Sequence, residues 1–82
     1  MDDIGRKPAR YEIRVGGVLS DHWSDWLGGM TLTVTRTGEG DTVTTLTGVV
    51  PDQSALRGIL SKLWDLNLTL ISVSRIGSVA ND

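Results

Sequence analysis

Cysteine and phenylalanine are absent from the 82 residues, proline occurs twice, and no apolar run approaches the length of a membrane-spanning helix. Without cysteine there is no disulfide framework and no thiolate nucleophile. A zinc site would have to be assembled from carboxylates and the single histidine, His22. An excess of one charge is missing too: eight basic against ten acidic residues leave a formal net charge of -2. That balance gives no electrostatic footprint for a phosphate backbone, so nucleic acid is not an expected partner. The first ten residues carry Asp2, Asp3, Arg6, Lys7 and Arg10 with no apolar stretch. The expectation is therefore no signal peptide, no membrane segment and, by default, a cytoplasmic location.

What is present reads as an ordinary globular chain, 39% hydrophobic and 22% charged. Its length suits one domain. A chain of this size buries only about 60 to 65% of the surface its unfolded form exposes, so the core is either compact or completed by a partner. Self-association is open from the start. Residues 1–10, with Gly5 and Pro8 and no period, read as a loose arm. Residues 11–77 read as a single α+β domain and residues 78–82 as a tail.

Hydrophobic period supplies the elements. Tyr11, Ile13 and Val15 alternate with Glu12 and Arg14, the pattern of a half-buried strand. In residues 20–27, Trp23, Trp26 and Leu27 fall at i, i+3, i+4 behind a Ser20 or Asp21 cap, which predicts a helix of about two turns ended by Gly28-Gly29. Met30, Leu32 and Val34 then alternate with Thr31, Thr33, Thr35 and Thr37, and residues 37–41 supply a hairpin turn into a strand over residues 42–50. Register there is ambiguous, because Val43 and Val49 share one parity and Leu46 and Val50 the other. A bulge near Thr44-Thr45 would reconcile them. Asp52 is placed to cap a helix bearing Leu56, Ile59, Leu60 and Leu63 on one stripe, with Asn67 as a left-handed stop. Residues 68–76 form the last strand, with Ile71 and Val73 on one face and Ser72 and Ser74 on the other, beside the first strand.

The order strand, short helix, strand, strand, long helix, strand is that of a ferredoxin-like split β-α-β sandwich. Its four-stranded antiparallel sheet has helices on one face and nothing on the other. The ten residues of the first crossover sit at the lower limit for a parallel connection of about 10 to 12 residues. A plain three-stranded meander followed by helix and strand is the rival.

No constellation for catalysis emerges. His22 lies beside Asp21 and near Asp25, but sequence neighbours on a helix do not face each other and no motif places a nucleophile. No cofactor is implied, and no phosphate-binding loop occurs. Three tryptophans in a chain without phenylalanine are the unusual feature. Trp23 and Trp26 either plug the core or anchor a partner, and Trp64, one position past Leu63, suits an exposed aromatic. The threonine face, Thr31, Thr33, Thr35 and Thr37 with Thr42, Thr44 and Thr45 or Thr47 opposite, is either solvated or the place where two sheets meet.

Tyr11-Glu12-Ile13-Arg14-Val15, Trp23-Ser24-Asp25-Trp26, Leu46-Thr47-Gly48, Asp52-Gln53-Ser54-Ala55-Leu56 and Asp65-Leu66-Asn67-Leu68 together resemble a family of short, uncharacterised bacterial proteins that carry similar segments in this order. The resemblance covers residues 11–76, and where the family commonly has glycine this chain has Asn67. A second resemblance, over residues 49–76, is to one strand-helix-strand half of the ACT ligand-binding domains. Asp52 matches their aspartate at the helix start, while Ala55 stands where they have glycine. The first resemblance implies a module without implying an activity; the second implies a sensor of a small metabolite or amino acid. The expected function is a non-enzymatic accessory or interaction module, a homodimer formed through its sheet, with Trp23, Trp26, Trp64, Thr33 and Thr35 as candidate contact residues. The rival is an ACT-like sensor.

Overall fold

The computed structural model describes residues 8–78. Four strands and one α-helix form in the order β1 (Ala9–Gly16), a 3-10 turn (Asp21–Trp23), β2 (Thr31–Arg36), β3 (Thr42–Val50), α1 (Gln53–Asp65) and β4 (Thr69–Ser78). The strands make one sheet in the order β2-β3-β1-β4, with every neighbouring pair antiparallel. The domain is thus α+β with a four-stranded antiparallel sheet. β1 pairs with β3 and β4 and not with β2, which excludes the meander. β1 starts at Ala9, inside the expected arm, because Ala9 is buried against the core. The rest of that arm, residues 1–7, lies outside the described residues. So do residues 79–82 of the expected tail, whose first residue, Ser78, belongs to β4.

Alternation in β1 works as its sequence suggests. Ala9, Tyr11, Ile13 and Val15 are buried, and they meet Leu46 and Val50 of β3 beneath Leu56, Ile59 and Leu63 of α1. Each fully buried aliphatic side chain contributes about 1.5 to 3 kcal/mol relative to exposure. The ambiguous parity of β3 resolves without the expected bulge. Its pairing with β1 and with β2 runs unbroken, Thr44, Leu46 and Val50 point inward, and Val49 is exposed on the other face. Thr44 can occupy an inward position because its hydroxyl is fully satisfied. It donates to the Gly17 carbonyl at 2.7 Å and accepts from the Leu19 amide at 3.1 Å, tying the chain after β1 back onto β3.

Irregularity falls instead between β1 and β4, where register shifts flank Ile71 and Ile76. Val73 still lies opposite the buried Ile13, so it points to the helix side. The Ile71 side chain has turned to the other face, ending 4.0 Å from where a Cβ on Gly16 would stand. Ile71 and Val73 therefore do not share a face as simple alternation required.

The expected helix over residues 20–27 is a 3-10 turn continued by further turns. Trp23 and Ser24 donate to the Ser20 and Asp21 carbonyls, and Leu27 bonds to both the Trp23 and Ser24 carbonyls. A segment this short cannot offset helix nucleation, and its serines and aspartates compete for backbone partners. Ser24 does so directly, donating from its hydroxyl to the Met30 carbonyl at 2.7 Å. Gly28 and Gly29, at φ of 79° and 76°, then reverse the chain into β2 through a geometry costly to other residues. The plug expected from Trp23 and Trp26 is supplied by Leu19, Leu27 and Met30, with only Trp23 packed partly against it. Met30 fits because Gly48, opposite on β3, has no side chain; a Cβ there would lie 3.3 Å from the Met30 Cα and Cγ.

α1 forms as read. The Asp52 carboxylate accepts from the Ala55 amide at 2.8 Å. The helix closes through Asn67, at φ 65°, with Leu68 donating to the Leu63 carbonyl.

Candidate interaction surface

α1 lies on one face of the sheet, and its two flanks differ. Lys62 on one flank donates to the Trp26 carbonyl at 2.8 Å, and Ile59 and Gly58 on the same side approach Gly28 and Pro51. That flank faces the 3-10 turn and the β3–β2 side. Trp64, about 200° further round the helix from Lys62, therefore faces the β4 edge. A shallow groove runs along this second flank, lined by Gln53, Leu56, Arg57, Leu60, Ser61 and Trp64.

The candidate contact residues fall into three separate places. Trp23 and Trp26 sit together, ring centroids 5.1 Å apart, with His22 stacked on Trp23 at 5.0 Å and the Lys62 ammonium 5.4 Å from the Trp26 ring. Trp64 is on the opposite flank and is 57% exposed against 40% for Trp26. Thr33 and Thr35 are exposed on the far face of the sheet, which no described helix covers. The structure does not bring these residues into one site.

The middle of the helix-free face is a grid of polar groups, with Val49 towards one end and Val43 and Ile71 towards the other. Across the four strands, one row reads Thr33, Thr45, Arg14 and Ser72, and the next reads Thr31, Thr47, Glu12 and Ser74. Thr45 and Thr47 are the threonines opposite β2 on this face, and Thr44 is not, because it points inward. Flattening a second sheet onto this surface would desolvate Arg14 and Glu12, a cost their position does nothing to offset.

His22 and Asp25 do not form a reactive pair. The His22 Nδ1 lies 2.9 Å from the Ser20 hydroxyl, and among the described residues no three His, Asp or Glu side chains converge as a metal site would require. A broader cleft of about 690 Å³ opens at the end of the sheet beside the hairpin tip, and Arg14, Val43, Ile71, Glu39 and Asp41 are among the residues that line it.

The feature hidden from sequence reasoning is the β4 edge. Beside β1 on one side only, it exposes Ile71 and Ile76 at 49% each and Val73 at 36%. The available signal was its composition: Arg75 is the one charged residue in β4, and proline is absent from it. Edge strands exposed to solvent usually carry more of both guards.

Fold and surface define a small α+β domain with one face of its sheet covered and an apolar sheet edge. Residues 10–74 match the family described as a domain of unknown function, DUF8691, and the chain belongs to that family. Neither the comparison with curated proteins nor that with solved structures returned a match.

Proposed function

We propose that this chain is a non-enzymatic accessory or protein-interaction module that self-associates through its sheet as a homodimer. The observation that carries the reading is the one-sided sheet: α1 covers one face, while the other face and both outer strands, β2 and β4, have no neighbour among the described residues. A small domain with an open sheet gains most by completing it with a partner. On the same reading the domain is a ferredoxin-like split β-α-β sandwich whose first helix has shrunk to a 3-10 turn. Support comes from β1 lying between β3 and β4 with antiparallel pairing throughout. Cytoplasmic placement and bacterial origin belong to this reading too. Among the described residues no helix is long and apolar enough to cross a membrane. Size-exclusion chromatography with light scattering tests the proposal: a dimer at micromolar concentration is expected, and a strict monomer would remove it.

A second reading, an ACT-like sensor of a small metabolite or amino acid, is favoured by the cleft lined by Arg14 as well as Glu39 and Asp41, which offers both charges to a zwitterion. Against it, the Asp52 carboxylate at the helix start is already engaged by the Ala55 amide. Thermal shifts across an amino-acid panel decide, since a ligand bound only by the folded chain raises Tm.

A further inference from the structure

We infer that the partner is a second copy of this chain, joined antiparallel through β4 about a two-fold axis at Val73, with the Trp64 flank of α1 packing against its counterpart. The inference rests on the reading that the chain self-associates through its sheet, and it selects one surface among three.

The helix-free face is unsuited, because its two central rows contain Arg14 and Glu12 among hydroxyls. The β2 edge is short, six residues ending in Arg36, and the helix flank on its side is occupied by the Lys62–Trp26 contact. β4 differs on each count. It has ten residues, and the flank of α1 above it carries Leu60 and the exposed Trp64. The register shifts lie at its two ends, leaving residues 72–75 regular around the proposed axis.

Symmetry then sets the contacts. A two-fold axis perpendicular to the sheet pairs a residue with its own copy, and neighbours must share a face. Centred on Val73, the pairing places Val73 against its copy on the helix side and Ser72 against Ser74 of the second chain on the polar side. Arg75 stands two residues from the axis and does not meet its own copy, so like charges do not face each other, and the regular pairing ends at the shifts beside Ile71 and Ile76. With this geometry α1 of each copy stands on the same face of one eight-stranded sheet, and the Trp64 flanks close over the seam.

The area is sufficient. A ten-residue strand presents an edge about 34 Å long, and at a sheet thickness of about 10 Å it covers roughly 340 Å². Trp64, 57% exposed, adds roughly 140 Å² from a side chain that buries up to about 250 Å². Val73 and Ile76 lie within that edge, so with Leu60 the total is roughly 500 Å² per copy, about 1,000 Å² in all, the size a specific interface should clear. Trp64 and Arg57 line the same groove, and tryptophan and arginine are among the residue types enriched where binding energy concentrates.

Light scattering and sedimentation on the full chain and four variants test this. The full chain is expected to dimerise, and Trp64→Glu and Val73→Lys each to weaken the dimer by about tenfold or more. Thr33→Lys, on the polar face of β2, should leave it unchanged. Because the chain has no cysteine, Val73→Cys introduces a single thiol. Mild oxidation should link it to its copy, since directly opposed residues lie within disulfide range. Circular dichroism confirms folding, and should Val73→Lys unfold the sheet, Trp64→Glu decides, being an exposed helix position. A monomeric full chain overturns both this inference and the sheet reading. A dimer broken by Thr33→Lys and untouched by Trp64→Glu overturns the β4 assignment alone.

Discussion

The Lys62 ammonium lies 5.4 Å from the centroid of the Trp26 ring and donates at 2.8 Å to the Trp26 carbonyl. Two exposed tryptophans are thereby distinguished. Trp26 is held within its own chain, whereas the Trp64 ring makes no ring contact or side-chain hydrogen bond among the described residues. Lys62→Met should lower stability by about 0.5 to 1 kcal/mol, the size of a surface cation–π contact. Trp64→Ala should stay within about 0.5 kcal/mol in dilute, monomeric solution. Urea unfolding of both variants at low concentration checks the contrast.

Thr44 gives a sharper expectation. Replacing it by valine keeps its shape, strands the buried Leu19 amide and takes the partner from the part-buried Gly17 carbonyl. Thr44→Val should cost about 1 to 3 kcal/mol, the penalty for buried unpaired polar groups, and appear as a lower urea midpoint at unchanged slope.

Two glycines should respond in opposite senses. Gly58 is inside α1, where an added Cβ meets nothing within 4 Å. Gly58→Ala should therefore stabilise the domain by about 0.5 to 1 kcal/mol through helix propensity. Gly48→Ala drives a methyl to 3.3 Å from the backbone of buried Met30 and should destabilise by about 1 to 3 kcal/mol. Paired thermal melts of the two variants read the difference in sign.

Asp52→Ala removes the bond to the Ala55 amide at the start of α1. A loss of about 0.5 to 2 kcal/mol is expected, and Asp52→Asn or Asp52→Ser should recover most of it. Chemical denaturation of the three variants separates capping from any other role of the carboxylate.

Legibility in the sequence followed how local each signal was. The α1 cap, its leucine stripe and the Asn67 stop depend on residues within a few positions of each other, and they read correctly. β3 matched its expected bounds, yet its parity did not read, because the inward Thr44 is explained only by Gly17 and Leu19 far along the chain. Residues 20–27 showed helical spacing, but Ser24 bonding to Met30 and two glycines at positive φ took the backbone elsewhere. Ile71 and Ile76 sit at register shifts that two-residue alternation cannot anticipate. Of the candidate surface, Trp64 was legible from its position beside Leu63. The β4 edge was not, since which strand ends a sheet is settled by topology.

The most direct measurement is amide hydrogen exchange followed strand by strand as protein concentration rises. Slowing confined to β4 and the Trp64 end of α1, with β2 unaffected, is the predicted result. Slowing in β2, or exchange in β4 indifferent to concentration, would contradict the proposed assembly.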